Sequence, residues 1–499
     1  MAAQKAASKN NVTAQDIAAP KTTIQEARER PVTAESQEEV WPPMSEMLHS
    51  LLIFEPAVQR PGRSEFDEEN RETDGKTSER EVLPPAPVPV VVLGIKSGRE
   101  ELSETQRRLL TNADLLCAGR ALLERFVPEA GKKNPPETLL LAAPLEPVYT
   151  RIAEARAAGL RVLVLADGDP LFFGIGASLT RLMGRRAVHV IPAVSSLQLA
   201  CSRLGLPWHD VICLSLHGRN NFGPLNSAIS RGAPICLLTD GDIRPDEVAR
   251  HLLDRGVDWF SAHVFERLDF PDETATHAPL TKAAGMEFGP SCTLVLVPSG
   301  PGRMPHLGLR GKDLAAENGI VTKMPVRAAA LALLRIAPTH TVWDIGSGSG
   351  AMAIEAAVLA HQGRVAAVEK KPERVLCIEE NRRRFGAAQV DIYLGEAPSC
   401  LEVLPDPQRI FIGGGLSADN GLRTLDHVSR RLPPGGRVVT SCALLNTLSR
   451  CRDFFSGQGW PHEIVCVQAA KTRPLADDAH FVAMNPIFVL AAQKPEETP

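Results

Sequence analysis

Three glycines at alternate positions, Gly346, Gly348 and Gly350, follow the apolar stretch "TVWDI" and precede "AMAIEAA", which has helical spacing. A strand, a glycine turn and a helix in that order make a nucleotide-type turn, where backbone amides lie open to a ligand. The pattern fits both G-x-G-x-x-G/A and G-x-G-x-G, so the glycines alone do not separate a dinucleotide from S-adenosyl-L-methionine. Asp344, two residues before the first glycine, separates them on charge. A pyrophosphate at this turn would meet a carboxylate of like sign, whereas the methyl donor brings an ammonium and a sulfonium. Glu369 ends the next strand, "VAAVE", 23 residues after Gly346, where an acid can accept both ribose hydroxyls. "VDIYLGEAP" sets Gly395, Glu396 and Ala397 at a third strand end, the expected place for adenine. The following strand ends in "FIGGGL" (Phe411 to Leu416), whose glycines let a bulky flat substrate approach the backbone.

A second acidic turn lies upstream. "LADGDPLFFGIG" (Leu165 to Gly176) reads as a strand, a tight turn at Gly168-Asp169-Pro170 and a helix start. From the residues alone it is either a ligand-approaching turn or an ordinary loop.

Elements of α/β type must position these turns. "VPVVVLGI" reads as a buried strand and "SETQRRLLTNADLL" as a helix opened by a Ser103/Gln106 capping box. "LRVLVLAD", "AVHVIPA", "DVICLSLHG", "APICLLTDG" and "CTLVLVPSG" read as further strands. Downstream, "VRAAALALLRI" is a predicted helix, and "TVWDIG", "GRVAAVEK", "RIFIGGG", "GGRVVTSC" and "PIFVLAAQ" are strands of a second sheet. Between them "SGPGRMPHLGLRGKDLAAENG" has linker composition. The expected organisation is an acidic low-complexity tail over 1–86, an α/β domain over 87–300, a linker over 301–318 and a second α/β domain over 319–499. The tail contains one apolar stretch, Met44 to Phe54, that could form a short helix, but too little else to offset its ordering entropy.

Length and composition agree with a soluble multidomain enzyme. The 499 residues exceed one ordinary core, and 44% hydrophobic content suffices for several. Residues 1–86 carry 10 basic against 16 acidic side chains and the remainder 45 against 43, so the working body is near neutral. With two tyrosines and 5% aromatics, that balance suits a small-molecule substrate better than nucleic acid. The ten cysteines are scattered without C-x-x-C or finger spacing, which reads as reduced thiols with no metal site. No signal-type or membrane-length apolar run occurs, so a cytoplasmic protein is expected.

Over about 319–493 the stretches "IVTKMPVRAAALALL", "WDIGSGSGAMAIEAA", "AVEKKPERVLCIEENRRRFG", "LGEAP" and "FIGGGL" resemble the precorrin-6B C-15 methyltransferase and decarboxylase family of cobalamin biosynthesis. The resemblance implies a Rossmann-like methyltransferase fold that holds S-adenosyl-L-methionine with Thr322, the turn Gly346, Ser347, Gly348, Ser349 and Gly350, Glu369 and Ala397; Asp344 and Glu396 join that set on their positions. Pro325 stands where the family usually has a charged residue.

Over about 88–300, "LADGDPLFFGIG" and "VIPAVSSLQLACSRLGLPWHDVICLSLHGR" resemble the tetrapyrrole methylases, and within them the C-5 methyltransferase of the same pathway. That fold is two-lobed α/β with the donor between the lobes, which implies donor contacts from Gly94, Gly168, Asp169, Pro170, Ser195 and Ser196. The first loop departs from the family at Lys96, which either obstructs the donor or meets a substrate carboxylate. His217 and Arg219 are candidates for substrate acids, with an ordinary structural histidine as the alternative for His217.

Resemblance to consecutive steps in one chain implies the fused C-5 and C-15 methyltransferase (decarboxylating) family, acting on a tetrapyrrole. Lys323 and Arg327, one helical turn apart, are then candidates for the substrate's carboxylates, with surface solubility as the alternative. No residue stands out as a general base. The sequence leaves open a precorrin or cobalt-precorrin substrate, a homo-oligomer, and a chain in which only the C-terminal half is active. A nucleic-acid or protein methyltransferase lacks its basic surface or amino-acceptor motif here, and an NAD enzyme is disfavoured by Asp344.

Overall fold

The described residues of the computed structural model are 88–496, apart from 97–101, 130–134, 217–220, 240–241 and 418–419. The acidic segment with its Met44–Phe54 stretch lies outside them, as do His217 and Arg219. The described part builds three large sheets and a separate two-stranded one.

The first holds β1 (Val90–Ile95), β2 (Leu115–Ala118), β3 (Glu137–Leu140), β4 (Val162–Asp167) and β5 (Val188–Ile191), in the order β3-β2-β4-β1-β5. All are parallel. Parallel strands need both faces covered, and β1, β2 and β4 are accordingly near-continuous apolar runs. The register sets Ile95 beside Asp167, so β1 and β4 end side by side. The capping box at Ser103 and Gln106 forms, but the helix stops at Thr111, and Leu115 begins β2 instead of extending it.

The second sheet holds β6 (Ile212–Ser215), β7 (Ile235–Leu238), β8 (Phe260–Glu266), β9 (Thr274–Pro279) and β10 (Cys292–Pro298), in the order β6-β7-β10-β8-β9. Only β6 and β7 are parallel.

The third sheet runs β13-β12-β11-β14-β15-β19-β16. Its strands are β11 (Thr341–Ile345), β12 (Arg364–Glu369), β13 (Val390–Leu394), β14 (Arg409–Ile412), β15 (Arg437–Cys442), β16 (His462–Val467) and β19 (Ile487–Gln493); β17 (Ala470–Leu475) and β18 (Asp478–Ala483) pair as a separate exposed hairpin. The first five are parallel and the last two antiparallel. Strand order reverses between β11 and β14, the switch point at which open α/β sheets leave a crevice beyond their carboxyl ends.

The glycine- and proline-rich stretch before this sheet is not a free connector throughout. Leu309 and Leu314 are buried in the core that also holds Val342, Ile354 and Val365. The second and third sheets also share polar contacts. Arg255 Nη2 sits 2.5 Å from Asp391 Oδ1, Ser227 Oγ donates to His361 O, and Ala388 is wholly buried in the core around β7, β8 and β10.

Candidate functional site

Beyond the carboxyl ends of β11 to β14 lies a cavity of about 180 Å³ lined by Gly346, Glu369, Lys370, Arg374, Glu396, Ala397 and the run Gly413–Gly415, among others. Gly346 N–H and Ser347 N–H donate to Val368 O at 2.9 and 3.0 Å, and Gly348 N–H donates to Glu369 Oε2 at 2.9 Å, which folds the turn against β12. Gly346 has a φ of 71°, and a Cβ there would stand 3.0 Å from Gly414 N, so only glycine leaves the crevice open. Glu369 Oε1 also accepts the amides of Lys370 and Lys371 at 3.0 and 3.1 Å, fixing the carboxylate at the cavity wall.

Asp344 lies beneath the turn. Its Oδ2 accepts from Ser347 Oγ at 2.6 Å and from Ala353 N at 3.0 Å, while Oδ1 is buried without a partner. Burial pushes its pKa up to about 7 against those two hydrogen bonds, and the Glu369 charge adds to the rise. A buried acceptor with no donor invites a cationic one.

The first and second sheets enclose another cavity, of about 380 Å³, lined by Asp167, Gly168, Asp169, Phe172 and Ser196 on one side and by Thr239, Phe265, Arg267, Cys292 and Thr293 on the other. The end of β1 packs tightly on the acidic turn, since a Cβ on Gly94 would come within 2.7 Å of Gly168 O and 2.8 Å of Ala193 N. Asp169 Oδ1 accepts Leu171 N–H at 2.8 Å and closes the turn. Lys96 Nζ lies 3.5 Å from Asp269 Oδ2, an ion pair between a residue following β1 and one following β8.

Across 359 residues the chain is 32% identical to a precorrin-6Y C(5,15)-methyltransferase [decarboxylating] from Sinorhizobium sp, an alignment covering 70% of this chain and 84% of the relative. The chain belongs to the precorrin-6Y C(5,15)-methyltransferase (decarboxylating) family. Family models described as tetrapyrrole (corrin/porphyrin) methylases and as a precorrin methyltransferase domain match residues 89–284 and 313–494. A cobalt-precorrin-6B C(15)-methyltransferase (decarboxylating) from Salmonella typhimurium is 34% identical over 37% of this chain and 94% of its own length. The crystal structure of a precorrin-6Y C5,15-methyltransferase from Geobacter metallireducens GS-15 is 36% identical, covering 38% of this chain and 98% of that one, with a TM-score of 0.36.

Members of this family are S-adenosylmethionine-dependent C-methyltransferases, and the second cavity fits that donor on two observations. The orphaned Asp344 Oδ1, buried beneath the turn and outside the cavity lining itself, is an acceptor of the kind an ammonium satisfies, and the Gly346–Gly414 approach leaves room where a side chain would block the crevice. Of the sequence candidates, Gly346, Glu369, Glu396 and Ala397 line one cavity, and Gly168, Asp169 and Ser196 line the other. Gly348 and Gly350 shape the turn from behind, with φ of 62° and 77°, and Ser349 is buried. Pro170 packs inward on Gly174 and Gly176. Ser195 caps the helix Ser196–Leu204 through a capping box with Gln198.

Arg327 is a correction. It is not on the surface with exposed Lys323 but wholly buried, 2.8 Å from Glu355 Oε1, and it donates to Thr322 O at 2.5 Å and to Leu309 O. Both terminal nitrogens are engaged and the Nε is sealed in the core, so the guanidinium is out of reach of a substrate carboxylate. Pro325 fits the first turn of the helix Met324–Leu334, where its missing N–H costs nothing. The sequence reading passed over the second-sheet wall of the first cavity, Thr239, Phe265, Arg267 and Cys292. The signal available was polar residues closing apolar strands, "LLTDG" and "SCTLVLV".

Proposed function

We propose that the chain methylates C-5 and C-15 of a metal-free precorrin macrocycle and releases carbon dioxide from the ring C acetate, with the first cavity serving C-5 and the second C-15. The supporting observation is the pairing of two separate cavities, each at the carboxyl edge of parallel strands and each with a carboxylate beside a glycine turn. The relative that spans both halves is named for precorrin-6Y, which favours the metal-free ring over its cobalt form.

Bound S-adenosyl-L-methionine supplies a methyl group on a sulfonium, which a nucleophilic ring carbon can displace. This chain's residues hold and orient. At the second cavity Glu369 would take the ribose hydroxyls, Asp344 beneath the turn would take the ammonium, and Gly413–Gly415 would let the flat substrate lie against the backbone. In the first, Gly168, Asp169 and Ser196 on one wall and Thr239 and Thr293 on the other would hold the donor between them. Decarboxylation needs an electron sink, and the conjugated macrocycle is one, so the protein's task is to align the acetate's scissile bond with the ring. Division of the chain into 87–300, a connector over 301–318 and 319–499 follows the same reading. No helix among the described residues is long and apolar enough to cross a membrane, and the ten cysteines are free thiols, which supports a cytoplasmic enzyme.

Incubating purified protein with precorrin-6Y and labelled donor tests this directly. The expected yield per macrocycle is two methyl groups and one carbon dioxide; one methyl without carbon dioxide would overturn it.

A further inference from the structure

The helix Pro372–Arg384 that follows β12 buries two of its thirteen side chains, Ile378 and Asn381, and both meet the glycine turn. Ile378 closes on Gly350, where a Cβ would stand 2.8 Å from its Cγ2. Asn381 is wholly buried, and asparagine is a poor helix former, so its place calls for partners outside its own helix. It has three. Oδ1 accepts Ala315 N–H at 2.8 Å, while Nδ2 donates to Ala315 O and to Ser349 O, both at 2.8 Å. The side-chain amide thus meets Ala315 as a neighbouring strand would, with one N–H left for the turn.

Ser349 O needs that donor. It lies four residues before Ala353, whose N–H would close on it if the helix Ala351–Leu359 began earlier. That N–H goes instead to Asp344 Oδ2 at 3.0 Å. Asn381 and Asp344 therefore hold the two ends of one unmade helical hydrogen bond, the first its carbonyl and the second its amide. Ser349 is buried, so without Asn381 its carbonyl would be left unpaired and would draw the Ala353 amide back.

We propose that Asn381 is a positioning residue for the second donor site: by holding the Ser349 carbonyl it leaves the Ala353 amide on Asp344 and so keeps that carboxylate aligned with the turn. The proposal rests on the second cavity, with Asp344 beneath its turn, being a donor site. Ala315 belongs to the stretch that joins the two halves, so the same amide fastens that stretch to the turn. Asn381 acts through Asp344 and takes no part in bond making.

The test uses the full chain, with C-5 methylation by the same protein as internal control. Asn381→Leu keeps the volume and removes all three bonds, so Ala353 N–H returns to Ser349 O and Asp344 loses one of the two hydrogen bonds that hold its pKa down. Glu369, the charged group that raises it, is the same in both proteins. The pH midpoint of the donor's KM at C-15 should rise by about one pH unit. At pH 7 the ionised fraction of Asp344 then falls from about one half to about one tenth, so KM rises about fivefold and is regained near pH 9, while kcat at saturating donor holds. A lower melting temperature with an unmoved midpoint makes Asn381 an ordinary core residue and overturns the proposal, as does wild-type KM at every pH. A measurement on the wild type decides the matter if the variant does not fold: saturating S-adenosylhomocysteine should slow amide exchange at Ala353 and, through Asn381, at Ala315. Protection at Ala353 without any at Ala315 overturns the proposal and leaves the donor reading standing. No protection at Ala353 in a protein that still methylates C-15 removes Asp344 from the donor site, and the proposal falls with that reading.

Discussion

Replacing Glu355 with glutamine should destabilise the chain by about 3 kcal/mol, toward the lower end of the cost of breaking a buried ion pair, because the amide oxygen still accepts one hydrogen bond. The magnitude follows from the surroundings. The Arg327 and Glu355 side chains are 1% and 2% exposed, so water cannot solvate the guanidinium once its counter-charge is gone. Thr322 O and Leu309 O remain as neutral acceptors, and Leu309 N–H, which donates to Glu355 Oε1 at 2.8 Å, keeps a weaker partner. For a unit of roughly 180 residues such a loss lowers the melting temperature by about 6–12 °C. Amide exchange at Leu309 reads the site locally and should accelerate in the same proportion. The double variant Arg327→Met with Glu355→Leu separates charge from tether: an apolar pair of similar volume should recover most of the stability. It should not recover donor affinity, because the carbonyls of Thr322 and Leu309 lose their anchor. A melting temperature within about 2 °C of wild type for Glu355→Gln would refute the burial argument, and wild-type donor affinity in the double variant would refute the tether.

Donor binding at the second cavity should strengthen as pH rises through about 7, because Asp344, raised from 3.8, becomes a carboxylate only there. The same shift has the opposite sign for the donor-free protein. A raised acid binds its proton more tightly when folded, so its contribution to stability falls as pH rises from 3.8 to about 7. Calorimetry with Asp344→Asn should show weak, pH-independent donor binding and a flatter stability profile over that range. Gly346→Ala adds a Cβ 3.0 Å from Gly414 N at a φ of 71° and should cost about 1–3 kcal/mol in the donor-free fold, read by urea unfolding, with C-15 activity lost and C-5 activity kept. Lys96→Ala removes a partly exposed ion pair with Asp269, so unfolding should shift by less than about 1 kcal/mol. Donor dissociation from the first cavity should quicken, and raised salt should reproduce that in the wild type.

What the sequence made legible was local. A strand, three glycines and a helix state their geometry in adjacent residues, and Glu369 could be placed because the next strand in a parallel sheet must end at the same edge. Arg327 was misread for the opposite reason. Its partners Leu309 and Glu355 lie 18 and 28 residues away, and only the packed core turns a charged residue near a helix start into an interior tether. The run "AAALALL" beyond it was the available sign that this helix enters the core. Likewise β8 and β9 stayed hidden because antiparallel strands with histidines in register, His263 beside His277, carry a weaker apolar signature than the buried parallel strands of the first sheet. Without β8, the Phe265, Arg267 and Leu268 part of the first cavity's wall has no address in the sequence.

Which parts of the N-terminal half can move follows from where it is fastened. The polar contacts that join it to the third sheet come from the second sheet's layer: Ser227, Arg255 with Asp391, and the Asp254 carbonyl that accepts from Arg382 at 3.2 Å. Arg255 and Asp391 are only 16% and 21% exposed, and Ala388 is buried in the same layer, so this junction is largely shielded and holds two charges together. Asp391 sits on β13, whose far end leads into Gly395, Glu396 and Ala397 of the second donor cavity. The second sheet is thus braced against the C-terminal half, and none of these contacts comes from the first sheet. Lys96, the residue that departs from the family pattern, reaches from the end of β1 to Asp269 beyond β8 and so ties the first sheet to the braced one.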